Sequence, residues 1–312
     1  MVLSDLEPTR YRDARKAELF WAGLSASISK DGFGAEAEVR AKDGRFRPYY
    51  DGDFWLQRGA AIVESPVGAL RVGKVDGGLA PEDETFSGTL YSDNGVSRNP
   101  EWGASVAGEK RFGWDLLAWS LRYAGRNDHV AFEQQGRGAE SDPGASLAGG
   151  DGRVSWLVNK GLVTIRPALG AAAISVDSPA AGGRFSRVDV SGDLRVTAGP
   201  AWISFLAMNR NGSTDAAVAA ADGGVPRLGY DRSWSWLFSF GAEFPTVTYR
   251  YSYSEWNYRG VDANERIHQP SVVWTPKKWI AATIEYSARR LRTAASGASA
   301  FNAFRFGLAL NF

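Results

Sequence analysis

Along most of this chain, apolar and polar residues change places at every step. At the C-terminus Phe304, Phe306, Leu308, Leu310 and Phe312 hold one parity, and Arg305, Gly307, Ala309 and Asn311 the other. Residues 33–41 set Phe33, Ala35, Ala37 and Val39 against Glu36, Glu38 and Arg40. Residues 185–196 set Val188, Val190, Leu194 and Val196 against Arg187, Asp189, Asp193 and Arg195. In 233–244, Trp234, Trp236, Phe238, Phe240, Ala242 and Phe244 alternate with serine, glycine and glutamate. In 247–256, Val247, Tyr249, Tyr251 and Tyr253 oppose Thr248, Arg250, Ser252 and Ser254, and 279–290 follows suit. Side chains of an extended strand point to alternate faces, so each segment predicts a strand with one greasy and one polar side. Each spans about ten residues, the length of a tilted strand that crosses a bilayer.

Further segments of similar length, several with mixed faces, extend the pattern: 19–29, 53–64, 67–76, 101–110, 113–124, 151–159, 162–177, 198–209 and 265–275. Their connections alternate in length. Short turns at 30–32, 65–68, 110–113, 159–161, 198–200, 244–245 and 276–278 are interleaved with longer segments at 43–52, 77–100, 125–149, 178–184, 210–229, 258–264 and 292–300. The fold expected is all-β: a transmembrane antiparallel up-and-down β-barrel with short turns at one rim and long loops at the other. Both chain ends at the short-turn rim require an even strand number. The segments give fifteen, so sixteen is expected, with fourteen as the alternative. Residues 1–18, charged and holding Pro8, then form an irregular lead or a short first strand. Residues 19–312 form a single barrel domain.

Composition agrees with a barrel. The 312 residues include 12 Trp, 11 Tyr, 16 Phe and 36 Gly. Aromatic rings suit the two membrane boundaries and glycine suits turns and crowded backbone. No run of 18 apolar residues exists for a membrane helix. Met1 leads into charged residues, so a mature form without a secretory leader is expected. A net charge of +1 gives no argument for nucleic acid. Cysteine is absent, and His129 and His268 are the two histidines, which excludes thiolate and histidine-rich metal sites. No cofactor or metal is expected. Gly149-Gly-Asp-Gly152 falls far short of a calcium loop and reads as a turn. His129 beside Asp128 makes no triad, and no Gly-x-Ser-x-Gly elbow occurs, so catalysis is not expected.

Residues 53–124 resemble the middle of bacterial general porins. The likeness rests on Phe54-Trp-Leu-Gln-Arg-Gly59, the turn Ser65-Pro-Val-Gly68 and Leu70-Arg-Val-Gly-Lys74. After them the stretch Gly77–Trp102 stands where that family places a third outer loop that folds into the pore. The ending in Phe312 is also similar. The resemblance implies a water-filled outer-membrane channel for passive diffusion of small hydrophilic solutes and ions, embedded in the lipid bilayer as a homotrimer. It carries Lys74 and the acids Glu82, Asp83 and Glu84 to the pore constriction.

Acids on an infolded loop facing bases on the wall set a transverse field across a water path. Asp93 joins the loop acids, and Arg40, Arg122, Arg153, Arg187 and Arg250 join the wall bases because they lie on polar faces. Arg71 and Lys74 stand an odd number of residues apart, so both reach the lumen only across a bulge. Trp234, Trp236, Tyr249, Tyr251, Tyr253, Phe304, Phe306 and Phe312 are the expected membrane-belt aromatics. Two other readings stay open: an anion-preferring, substrate-selective channel, and a soluble all-β binding protein or outer-membrane enzyme.

Overall fold

The computed structural model describes residues 2–8, 15–41, 54–75, 101–126, 146–178, 183–214, 232–259, 263–293 and 297–310. They form sixteen strands: β1 (Val2–Pro8), β2 (Arg15–Lys30), β3 (Phe33–Ala41), β4 (Phe54–Ser65), β5 (Gly68–Val75), β6 (Glu101–Phe112), β7 (Asp115–Arg126), β8 (Ser146–Lys160), β9 (Val163–Ser178), β10 (Gly183–Ala198), β11 (Ala201–Thr214), β12 (Ser233–Glu243), β13 (Val247–Tyr258), β14 (Ala263–Lys277), β15 (Ile280–Thr293) and β16 (Gly297–Leu310). Every strand runs antiparallel to its neighbours in sequence, in up-and-down order. The pairing returns to its start, with β1 beside β16 through Val2–Ala309 and Leu3–Leu308.

The alternating connections are present. Seven tight links of two or three residues close one rim, at 31–32, 66–67, 113–114, 161–162, 199–200, 244–246 and 278–279. At Asp31-Gly32 both residues have positive φ, 53° and 81°, the backbone of a two-residue hairpin that follows strand twist. Several strands outrun the expected bounds at the opposite rim. β11 reaches Thr214, β15 reaches Thr293, and β8 begins at Ser146 inside the expected loop 125–149. Ladder bonding continues where the alternation of apolar and polar residues has stopped. The Gly149–Gly152 segment is therefore strand and not a turn, and Asp151 in it accepts a bond from Arg122 Nε at 2.6 Å. The short first strand is Val2–Pro8, and β2 crosses the expected boundary after residue 18.

Which face is the inside follows from ion pairs that skip a strand. Arg71 of β5 pairs with Glu36 of β3 at 3.4 Å, over β4. Arg153 of β8 pairs with Asp193 of β10, over β9, and Arg195 of β10 with Glu243 of β12 at 3.1 Å, over β11. Neighbouring strands lie about 4.8 Å apart, so only a concave face brings alternate strands within reach. All these side chains share one parity, fixed by the register. The other parity carries the exposed apolar residues, among them Leu24, Ile28, Phe33, Val72, Leu121, Leu169, Val190, Ile203 and Ile284. The greasy surface is outside and the charged one within. No helix is long and apolar enough to cross a membrane among the described residues.

Candidate functional site: the charged lumen

Direct cross-strand neighbours line the concave wall in rows. One row passes from Arg122 to Asp151, Ala172, Asp189 and Arg210 across β7 to β11. Asp189 is fully buried and takes two bonds from Arg210, Nε to Oδ1 at 2.8 Å and Nη2 to Oδ2 at 3.0 Å. Arg187 Nε stands 3.3 Å from the same carboxylate. Arg153 donates to both oxygens of Asp193, once at 2.8 Å and once more closely. These are charge-assisted, planar contacts of the kind guanidinium makes best.

Three of the expected constriction bases, Arg122, Arg153 and Arg187, therefore lie on the lumen wall, the first two in contact with an acid of a nearby strand and Arg187 with Asp189 of its own strand. Lys74 is buried and donates its Nζ to the Leu56 carbonyl at 2.7 Å. The bulge needed to bring Arg71 and Lys74 to one face is absent: the register on both sides of β5 runs unbroken from Arg71 to Lys74, which puts Lys74 on the parity opposite to Arg71, although Gly73 between them has a φ of 144°. Arg250 lies further toward the turn rim and donates Nε to Ser252 Oγ at 3.1 Å. Arg40 lies in β3 opposite Gly23 and Trp55. Glu82, Asp83, Glu84 and Asp93, on the expected infolded loop, lie outside the described residues, as do His129 and Phe312.

Near the turn rim Trp202 lies flat against the wall. A Cβ on Gly241 would come 2.9 Å from its ring, so the glycine makes room for it. The Arg195 guanidinium sits 4.5 Å from the Trp202 ring centre and that of Arg250 5.9 Å, both within cation–π range. Arg195 also stands opposite Arg166 in the β9–β10 ladder. Toward the loop rim the lumen side holds an apolar cluster of Leu206, Met208, Trp256, Tyr258 and Ile267 with Leu237 against it. The polar lumen expected from the sequence is interrupted there.

The sequence reading missed Asp151, Asp189, Asp193 and Arg210. Asp189 and Asp193 were visible as polar-face residues, but only the register shows which arginine each one meets. The belt aromatics within the described strands take the outward parity. Tyr249, Trp234, Phe304 and Phe306 are exposed, and Trp236, Tyr251 and Tyr253 half-buried. Two tyrosine hydroxyls find outward partners, Tyr251 with His268 Nδ1 at 2.7 Å and Tyr253 with Glu255 at 2.9 Å.

No protein-family model matches the chain, and no curated protein does. Solved structures of bacterial porins and other outer-membrane proteins are similar over almost the whole length. OmpT of Vibrio cholerae, in its trimer form, gives a TM-score of 0.61 at 13% identity, over 100% of this chain and 97% of that one. The anion-selective porin from Comamonas acidovorans gives 0.60 at 15%, over 94% and 89%. The outer membrane channel DcaP of Acinetobacter baumannii gives 0.59 at 11%, over 100% and 94%. At such identities the likeness establishes the fold, that of the porin-type β-barrels.

Proposed function

We propose that the chain is a sixteen-strand transmembrane barrel of a bacterial outer membrane and acts as a passive, water-filled channel for small hydrophilic solutes, without enzymatic activity. The observation that carries this is the division of the faces: an apolar exterior around a concave wall of ion pairs and hydroxyls. Water must meet that wall, and lipid must meet the exterior, because neither surface is stable in the other solvent. The fold shared with OmpT and DcaP supports the same reading.

In this reading the segment 77–100 folds inward as the third outer loop. It sets Glu82, Asp83, Glu84 and Asp93 across the water path from Arg40 and the wall arginines. In the same reading the assembly is a homotrimer, which the existence of a trimer form of OmpT supports. A second reading, preference for anions, is favoured by the turn-rim group in which Arg195 and Arg250 lie on Trp202, Arg166 stands opposite Arg195, and Glu243 is the acid on Arg195. The anion-selective porin among the similar structures fits it.

The test is conductance across planar bilayers with the purified protein. Stepwise, ohmic current increments are expected, and extraction should need detergent. Bilayers that stay silent, or a protein soluble without detergent, would remove the channel reading. Reversal potentials in a salt gradient separate the two selectivities: equal permeability of small cations and anions would discard the anion preference.

A further inference from the structure

The outward face of β13 to β16 breaks the greasy band with positive charge. Arg266 and Arg290 stand directly opposite each other on β14 and β15, and Arg292 stands opposite Asn264 one outward position higher. Like charges directly across a ladder destabilise it unless a counter-charge joins them. Glu255 serves Arg266 at 3.4 Å and is already held by Tyr253, Asn257 and Asn264. Arg290 and Arg292 are exposed and have no acidic partner among the described residues.

Their height is informative. From Ile280, at the turn rim, ten residues lead to Arg290. At about 3.4 Å per residue and a tilt of about 40° that is about 26 Å, matching an apolar band about 25 Å tall. The arginines thus stand at the headgroup level of the outer leaflet. Directly below them an outward groove runs between strands, lined by Tyr249, Tyr251, Pro270, Val272, Ile284 and Phe304. Pro270 has no N–H to donate, and the β14–β15 register omits it. Between groove and arginines the outward residue of β15 is the small Ala288.

We infer that this face holds a phosphorylated lipid of the outer leaflet, its phosphate on Arg290, Arg292 and Arg266 and an acyl chain in the Pro270 groove. The inference rests on the outer-membrane reading above. A cationic cluster set over an apolar slot matches an amphiphile with an anionic head. A second copy of the chain would have to bring its own acid to the arginines and an apolar ridge to the slot.

The test titrates full-length protein in neutral detergent with bis-phosphorylated lipid A, with phosphatidylcholine and with inorganic phosphate, reading bound lipid by native mass spectrometry. The pair Arg290→Gln with Arg292→Gln should weaken lipid A binding by about thirtyfold, two basic side chains' worth of attraction to an anionic surface. Ile284→Trp, which fills the groove, should also weaken it. Neither should alter channel conductance, since none of these side chains faces the lumen. The inference is overturned if the double variant binds lipid A like the parent or phosphatidylcholine binds equally well. It is also overturned if millimolar phosphate displaces the lipid, which would mean a free-anion site. A variant that loses its oligomeric state while keeping the lipid would point to a second copy instead. If arginine-dependent lipid binding persists in a protein that carries no current, the site stands and the channel reading falls.

Discussion

Two sectors of the same inner wall are built from different chemistry. Across β7 to β11 the wall is laced with Arg–Asp contacts: Arg122 with Asp151, Arg153 with Asp193, and Arg187 and Arg210 with Asp189. Across β12 to β14 the same rows continue as Ser233, Ser235, Ser239, Ser252, Ser254 and Gln269, with Trp256 and Tyr258 among them. The first sector keeps a polar face with charges whose fields largely cancel inside the wall. The second keeps it mainly with neutral hydroxyls, its charges being few: Glu243 with Arg195, Arg250 near Trp202, and Glu265 with Arg289. The contrast teaches that a lumen full of arginine need not present a strong net field. Selectivity depends on which cations are balanced by a neighbour and which are not.

Substitutions can break this contrast in graded steps. The largest effect is expected at Asp189, whose carboxylate is fully buried between Arg187 and Arg210. Asp189→Asn leaves two guanidinium groups without their anion, and losing one partner of a buried pair costs about 3–5 kcal/mol. Urea unfolding in micelles should register that loss, and reversal potentials should move toward anions. A variant as stable as the parent would mean the charges are balanced by water and not by each other.

Next, Gly241→Val places atoms where Trp202 lies and where the Tyr249 carbonyl approaches, 2.4 Å from the first added carbon. Overpacking of this kind costs about 1–3 kcal/mol. It should also push the Trp202 indole off the wall, lowering single-channel conductance. Unchanged conductance would show that the ring does not border the water path.

Arg153→Gln frees Asp193 from its bidentate partner. Leaving that acceptor unmatched costs about 1–3 kcal/mol, and ion preference should shift toward cations. A shift the other way would contradict the placement of Asp193 on the conducting face. Smallest of all, Ser239→Ala in the hydroxyl sector removes one 3.0 Å bond with Ser252. It should cost no more than about 1 kcal/mol and leave the reversal potential where it was. A change in selectivity there as large as at Arg153 would erase the distinction between the sectors.

The fold was legible because lipid and water impose opposite demands on alternate residues. β12, β13, β15 and β16 show this over most of their length, breaking at Leu237, at Glu255–Tyr258 and at Arg290–Arg292, so most of their outward residues could be named from the sequence. β8 was partly missed because Gly149, Gly150 and Gly152 carry no side chain to show a parity. β11 was blurred because Leu206 and Met208 face the lumen while Asn209 faces out. The wall bases Arg122, Arg153 and Arg187 could be named from parity alone. Their acids could not be matched to them, since the pairings reach over 29 residues for Arg122–Asp151 and 40 for Arg153–Asp193. Sequence distance carries no information about a contact that the closing of the sheet creates.

The ion pairs that vault over an intervening strand act as struts along the curve of the wall. Arg71–Glu36, Arg153–Asp193 and Arg195–Glu243 each fix the angle at which three consecutive strands bend. A cylinder of hydrogen-bonded strands is otherwise free to flatten into an oval, which would pinch its bore without breaking a ladder. These arginines therefore hold the bore round, and salt strong enough to loosen them should soften its shape before it unfolds the protein.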